Sequence, residues 1–128
     1  MERRSILISA VLGFTAVGLG AFGAHGLKQV VTDLPDAAQR LAWWETGARY
    51  HLAHAIAAGL FAVMAVKSDS RVALWGPLLF ILGIVLFSGS LYVMAMTGNT
   101  RLGMVTPFGG IAFMAGWVML GWLALSRR

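Results

Sequence analysis

Cysteine is absent from this chain of 128 residues, which excludes disulfide bonds, thiolate metal sites and thiol nucleophiles. Charge is also scarce, because only 10 basic and 5 acidic residues are present and four long stretches contain neither kind. An ion-coupled carrier normally needs an ionisable side chain at mid-membrane, and the absence of Asp, Glu, Lys and Arg from these stretches argues against that class. The basic residues form no stripe with interleaved aromatics, so the net charge of +5 does not indicate nucleic-acid binding.

Four uncharged stretches dominate the sequence, and they cover residues 5–27, 50–66, 72–97 and 104–126. At about 1.5 Å of helical rise per residue, even the shortest extends ~25 Å, close to the roughly 30 Å of a hydrocarbon core. Apolar residues make up 59% of the chain and the mean hydropathy is +0.78, more than a soluble core of this size can bury. The sequence therefore predicts an all-α fold, a four-helix bundle forming one integral membrane domain over residues 1–128.

The basic residues indicate how the chain is threaded through the membrane. With four spans, both termini lie on the same side as the short connection between the second and third spans. That side holds six of the ten basic residues, namely Arg3, Arg4, Lys67, Arg71, Arg127 and Arg128. The other side holds Lys28, Arg40, Arg49 and Arg101. Cytoplasmic segments carry an excess of Lys and Arg, so we expect both termini in the cytoplasm. A cleaved signal peptide is the alternative interpretation of the first stretch, although its apolar region is longer than usual.

The connection after the first span contains its own helical pattern, over residues 34–48. Thr32 and Asp33 precede Pro35 and Asp36, which is the chemistry of a helix start. Apolar residues then recur at helical spacing and two tryptophans lie within the segment. This pattern predicts an additional amphipathic helix at the membrane interface, which turns into the second span near Gly47.

Sixteen glycines are present, most of them inside the spans. A glycine costs about 1 kcal/mol relative to alanine in a water-exposed helix, whereas small residues in a membrane let two helix backbones approach closely. Small residues recur at steps of three or four along the first span, and the third and fourth spans offer similar notches. We therefore predict helix-packing positions at Gly13, Gly20, Gly83 and Gly116.

Antiparallel threading places most polar side chains of the spans at one depth, in the leaflet away from the termini. They lie where the first and third spans end and where the second and fourth begin. The hypothesis is a polar pocket for a small ligand, such as a lipid headgroup, a quinone or a metal, lined by His25, Tyr50, His54, Ser88, Ser90, Tyr92 and Thr106. His51 lies on the same helical face as His54, and imidazoles at one depth can bind zinc, copper or haem. Carboxylates that would support such a site are missing from the spans, so we expect no metal and no cofactor.

Four segments of the chain together resemble a known family. They are Gly-Ala-Phe-Gly-Ala-His-Gly-Leu at residues 20–27, Tyr50 with His54, Phe-Ser-Gly-Ser-Leu-Tyr at residues 87–92, and Thr-Pro-Phe-Gly-Gly at residues 106–110 followed by Trp117. In this order they are similar to the YgdD family of small bacterial inner-membrane proteins, and the resemblance covers the whole chain. It implies four transmembrane helices with an intact first segment, and it implies no specific function because that family is uncharacterised.

Catalysis is not expected. Ser88 and Ser90 lack both an orienting acid and a Gly-x-Ser-x-Gly elbow, and hydroxyl groups in a span usually bond to their own or a neighbouring helix. We expect a non-catalytic accessory or scaffold protein of the bacterial inner membrane that associates with itself, with another membrane protein or with membrane lipids. The alternative is a module that binds or transports a small ligand through the polar pocket.

Overall fold

The computed structural model describes residues 2–126, and nearly all of them lie in four long helices. The first, α1, runs from Glu2 to Phe22 and continues through a π-helical turn, Gly23–Leu27, to Lys28–Val31. The second, α2, covers Ala37–Met64 and ends in a 3-10 turn, Ala65–Lys67. The four-helix, all-α architecture predicted from the uncharged stretches is confirmed.

Helix α3 consists of Ser70–Gly83, a second π-helical turn at Ile84–Ser88, and Gly89–Thr97. Helix α4 begins with a 3-10 turn, Thr100–Met104, and continues over Thr106–Ser126. Each helix is long and apolar enough to cross a membrane. The described chain thus has four candidate membrane spans, while Arg127 and Arg128, which contributed to the predicted threading, lie outside the described residues.

The predicted break between an interfacial helix and the second span is wrong, because α2 is continuous from Ala37 to Met64. Gly47 is buried inside this helix, where an added Cβ would meet Tyr92 Cε1 at 3.1 Å and Leu91 Cβ at 3.3 Å. The glycine therefore serves close packing against α3 and does not mark a turn. A helix of 28 residues extends about 42 Å, so its charged first turns reach beyond a hydrocarbon core of roughly 30 Å.

Helix α2 lies between α1 and α3, and α4 packs against α3. One hydrophobic cluster fills the half of the bundle near the termini and contains buried rings from three helices, Phe61, Phe80 and Phe113. A second cluster lies at the opposite half and joins Leu27 and Trp44 to Ala95 of α3. These two clusters fix the relative positions of the helices that carry the polar residues.

The glycines predicted to mediate packing fall into two groups. An added Cβ at Gly83 would collide with the Phe113 ring, and one at Gly116 would meet the Phe80 ring at 2.8 Å, so both lie at the contact of α3 with α4. At Gly13 and Gly20 an added Cβ would meet nothing within 4 Å. Within a single chain, no neighbouring atom lies close to the Cβ position of either glycine, and their role in helix packing stays a prediction.

The reason for this open space is the rotation of α1 about its axis, which turns a neighbouring face toward α2. Ser9 donates a hydrogen bond to the Ala55 carbonyl oxygen, Ala16 is buried, and Gly23 lies directly against the Trp44 indole. This face leaves Gly13 and Gly20 beside the contact with α2.

Candidate functional site

His54 forms the centre of a cluster of aromatic and polar side chains between α2, α3 and α4. Its Nδ1 lies 2.7 Å from the Tyr50 carbonyl oxygen, and its Nε2 lies 3.2 Å from Trp117 Nε1. Because a carbonyl oxygen only accepts and an indole N–H only donates, the proton of the neutral ring is on Nδ1. The ring also stacks on Phe113, with 3.5 Å between the ring centroids. Both nitrogens are therefore occupied, and neither has a free lone pair for a metal or haem.

His51 lies one turn earlier on α2 and bonds to α3. Its Nδ1 is 3.0 Å from the Tyr92 hydroxyl. Its Nε2 is buried and has no hydrogen-bond partner within the described chain. The Tyr92 ring in turn packs against Trp44, with the ring centroids 4.6 Å apart. His51 thus links α2 to α3.

Two hydroxyl groups join α3 to the start of α4. Ser90 Oγ lies 2.9 Å from the Phe87 carbonyl oxygen and 2.6 Å from Thr106 Oγ1. When Ser90 donates its proton to the carbonyl, its oxygen accepts from Thr106. The neighbouring Ser88 is fully buried, and its hydroxyl has no hydrogen-bond partner in the described chain.

The structure therefore divides the predicted pocket residues among separate bonded pairs. His54 pairs with Trp117, Tyr92 with His51, and Ser90 with Thr106. The half-exposed Tyr50 ring covers this cluster by stacking on His54, with 5.7 Å between the centroids.

His25 is not brought to the cluster, because its side chain is exposed on the π-helical turn of α1. No group of three or more potential metal ligands occurs within residues 2–126.

Trp117 and Trp44 each donate a hydrogen bond that was not predicted from the sequence. Trp117 donates to His54, and Trp44 donates from Nε1 to the Leu19 carbonyl oxygen at 2.7 Å. A tryptophan in a helix that packs against others usually needs a partner for its indole N–H, which is a signal that the sequence did contain.

A separate cleft lies between α1 and α2, at the end of the bundle away from the termini, with a volume of about 430 Å³. Each helix contributes four residues at helical spacing. The lining residues are Gly20, Gly23, Ala24 and Lys28 from α1, and Leu41, Trp44, Glu45 and Ala48 from α2. We call this the α1–α2 cleft.

The walls of the α1–α2 cleft are set by glycine and by a fixed tryptophan. Gly20 has no atom within 4 Å of an added Cβ, so its wall is open. The Trp44 indole is buried, bonded to the Leu19 carbonyl and in contact with Phe22, with 5.2 Å between the ring centroids. The hydrogen bond and the ring contacts hold the inner wall in place. The space is therefore a consequence of the packing and needs no rearrangement to form.

Two charged side chains line the α1–α2 cleft. Glu45 Oε1 is 2.8 Å from Arg49 Nη2, and both side chains are more than 70% exposed. Lys28 is also exposed, and it takes part in neither of the ion pairs found among the described side chains. The Glu45 carboxylate is thus paired with an arginine of its own helix, and Lys28 has no ion-pair partner among the described side chains.

Comparisons with known proteins identify the family. Residues 19–110 match the family model described as "Protein of unknown function (DUF423)". The chain is 44% identical to the UPF0382 membrane protein YwdK of Bacillus subtilis, with 90% of each chain covered. It is 36% identical to a UPF0382 membrane protein of Haemophilus influenzae, with 100% of this chain and 98% of the relative covered.

The chain is also 37% identical to the UPF0382 inner membrane protein YgdD of Escherichia coli, with 99% and 95% covered. No solved structure matches the chain. The resemblance seen in the four sequence segments is confirmed by these matches, and the chain belongs to the DUF423 family of UPF0382 membrane proteins.

Proposed function

We propose that this protein is a non-catalytic accessory protein of the bacterial inner membrane that binds a membrane lipid in the α1–α2 cleft. The observation that carries this proposal is the cleft itself, an open space walled by Gly20 and by the buried Trp44 indole. Its volume of about 430 Å³ lies within the roughly 300–1,000 Å³ typical of small-molecule sites.

The bonding of the polar cluster supports a non-catalytic role. A general base or a metal ligand needs a lone pair that can reach a substrate, and both nitrogens of His54 are used within the protein. The Ser90 hydroxyl is likewise bonded to Thr106 and to a backbone carbonyl. These groups hold the helices together, which supports a binding surface elsewhere.

The order of residues along the α1–α2 cleft supports a lipid as its occupant. Gly20 forms the end within the uncharged stretch of residues 5–27, whereas Lys28 lies at the end where α1 leaves that stretch. The eight residues from Gly20 to Lys28 correspond to about 12 Å of helix. A molecule with an apolar chain and a charged head has the same polarity gradient.

A substitution that fills the α1–α2 cleft tests this function. Gly20→Leu introduces a side chain into open space, because nothing lies within 4 Å of the new Cβ. Gly13→Leu is the matched control, since Gly13 is equally open but does not line the cleft. The two proteins and the wild type are purified in mild detergent, and their co-purified lipids are quantified by mass spectrometry.

Wild type and Gly13→Leu are expected to retain lipid in equal amounts, and Gly20→Leu is expected to lose it. Equal lipid content in all three proteins would overturn the proposed function.

We also propose self-association as a second candidate function, on the observation that α1 packs mainly against α2. Its outward face is apolar, and Phe14 is 81% exposed. The chain has no cysteine, so Phe14→Cys supplies a single thiol for oxidative cross-linking in native membranes. Val118→Cys on α4 is the control, with a similar exposure of 74%. Cross-linked dimers from Phe14→Cys alone support the interface, and the same yield from both variants contradicts it.

For the orientation we propose that both termini are cytoplasmic, as the six-to-four division of basic residues indicates. This threading places the α1–α2 cleft in the outer leaflet. A green fluorescent protein fused to the C-terminus is expected to fluoresce, whereas a fused alkaline phosphatase stays inactive. The opposite pair of results would reverse the orientation.

A further inference from the structure

We propose that the lipid bound in the α1–α2 cleft is an anionic phospholipid whose headgroup phosphate binds Lys28. The inference rests on the proposed function and adds the chemistry of the headgroup. It follows from three features of the cleft: the unpaired charge of Lys28, the level of Lys28 along α1, and the apolar surface below that residue.

The α1–α2 cleft has one charged side chain without an ion-pair partner. Glu45 is compensated by Arg49 at 2.8 Å, and Lys28 is left without an ion-pair partner among the described side chains. Of the two charged residues that line the cleft, only the lysine therefore presents an uncompensated charge. A headgroup with a net negative charge complements the unpaired ammonium group of Lys28.

The level of Lys28 matches that of a lipid phosphate. Lys28 is the first charged residue after the uncharged stretch of residues 5–27, so it marks the edge of the hydrocarbon layer. A lysine at this level extends its ammonium group toward the headgroups and lays its aliphatic stem along apolar surface. One turn earlier, Ala24 lines the cleft next to the open wall at Gly20. A phosphate at Lys28 thus leaves its own acyl chain directly over this small-residue surface.

The test compares headgroups on otherwise identical lipids. The full chain is reconstituted in nanodiscs that contain dioleoyl phosphatidylglycerol and dioleoyl phosphatidylcholine in equal amounts, and bound lipid is measured by native mass spectrometry. The proteins are the wild type, Lys28→Gln, Lys28→Arg and Lys67→Gln. Lys67 is the matched control, because it is an exposed lysine at the opposite end of α2.

The wild type is expected to prefer phosphatidylglycerol. One lysine near a membrane surface contributes about 1 kcal/mol of attraction to anionic lipid, which corresponds to roughly a fivefold preference. Lys28→Gln is expected to lose that preference while it still binds lipid, and Lys28→Arg and Lys67→Gln are expected to keep it. An unchanged preference in Lys28→Gln would overturn the inference.

Two further arms separate the possible outcomes. Gly20→Leu is expected to lose both lipids, so the loss of preference in Lys28→Gln with retained lipid concerns the headgroup alone. Failure of Gly20→Leu to lose lipid contradicts the proposed function and, with it, this inference. Millimolar inorganic phosphate is the second arm, and it is expected to leave the bound phosphatidylglycerol in place. Displacement of that lipid by inorganic phosphate would show a free-phosphate site and overturn the assignment to a lipid.

Discussion

Replacing Trp117 with phenylalanine is expected to destabilise the bundle, because the change removes the indole N–H that binds His54 Nε2. The bond joins α4 to α2 over 3.2 Å, and the His54 side chain is only 6% exposed. A buried polar atom left unpaired costs about 1–3 kcal/mol in soluble proteins. Hydrogen bonds between membrane helices average about 0.6 kcal/mol and reach ~1.7 kcal/mol. Since a bilayer surrounds α4, we expect a loss of about 1 kcal/mol, within the membrane range.

The measurement needs a control for the loss of indole surface. Trp122→Phe makes the same chemical change on the same helix at a side chain that is 66% exposed. Equilibrium unfolding of both variants is followed by circular dichroism while sodium dodecyl sulfate is added to mild-detergent micelles. Trp117→Phe is expected to unfold at lower sodium dodecyl sulfate than the control, and equal midpoints would refute the role of the hydrogen bond.

A double-mutant cycle isolates the pair itself. His54→Phe removes the acceptor, and it also removes the bond to the Tyr50 carbonyl oxygen, so the single variant alone does not measure the bond to Trp117. If the bond stabilises the fold, the loss in the double variant falls short of the sum of the single losses by about 1 kcal/mol. Independent sites add within roughly 0.3–0.5 kcal/mol, so additivity within that range would show that the two side chains are not coupled.

The remaining predictions concern one buried hydroxyl and two close approaches of glycine, all measured in the same unfolding assay. Ser88→Ala is expected to be neutral or stabilising, because the Ser88 hydroxyl is buried without a partner, whereas Ser90→Ala breaks a bonded pair and should cost about 1 kcal/mol. The opposite order would contradict the hydrogen-bond assignment. Gly109→Ala should destabilise by about 1–3 kcal/mol, because its Cβ would strike the backbone of α3, while Gly18→Ala, in open space, should have no such effect. Gly98→Ala should destabilise the fold by about 1–2 kcal/mol, because Gly98 has a left-handed backbone with φ of 72° and the Arg40 guanidinium lies against it. Stability equal to that of the wild type would contradict this backbone strain.

The spans were predictable because charge is the strongest signal in a chain that crosses lipid. The four uncharged stretches correspond to the four long helices. The start of α2 was misjudged for a related reason. The charges of Arg40, Glu45 and Arg49 led to the prediction of a separate interfacial helix. A spanning helix can also carry charge where it projects beyond the hydrocarbon layer. The Asp36–Arg40 pair, at 3.0 Å, lies at the start of this helix, and the Glu45–Arg49 pair lies further along it.

Which side of α1 packs against the bundle was less predictable, because both its inward and its outward surfaces are apolar. In water the polar residues identify the exposed face of a helix, but in a bilayer that contrast is absent and small residues become the main guide. A small residue predicts a helix contact correctly only where a partner helix lies against it. On α3, Gly83 receives the Phe113 ring, while on α1 the open glycine at position 20 contributes instead to the wall of a cleft.

A π-helical turn at Gly23–Leu27 interrupts the regular geometry at the end of α1. A π turn accommodates an additional residue per turn, and at 3.6 residues per turn one residue corresponds to a rotation of about 100°. Residues on the two sides of this turn are therefore rotated relative to an uninterrupted α-helix, and Gly20, Ala24 and Lys28 nevertheless line the same cleft. The exposed His25 lies within the turn, and Lys28 follows it directly on the wall of the α1–α2 cleft. The turn that carries the exposed histidine is thus followed directly by the cation of the cleft, and the end of α1 is the part of the fold on which the proposed lipid site depends.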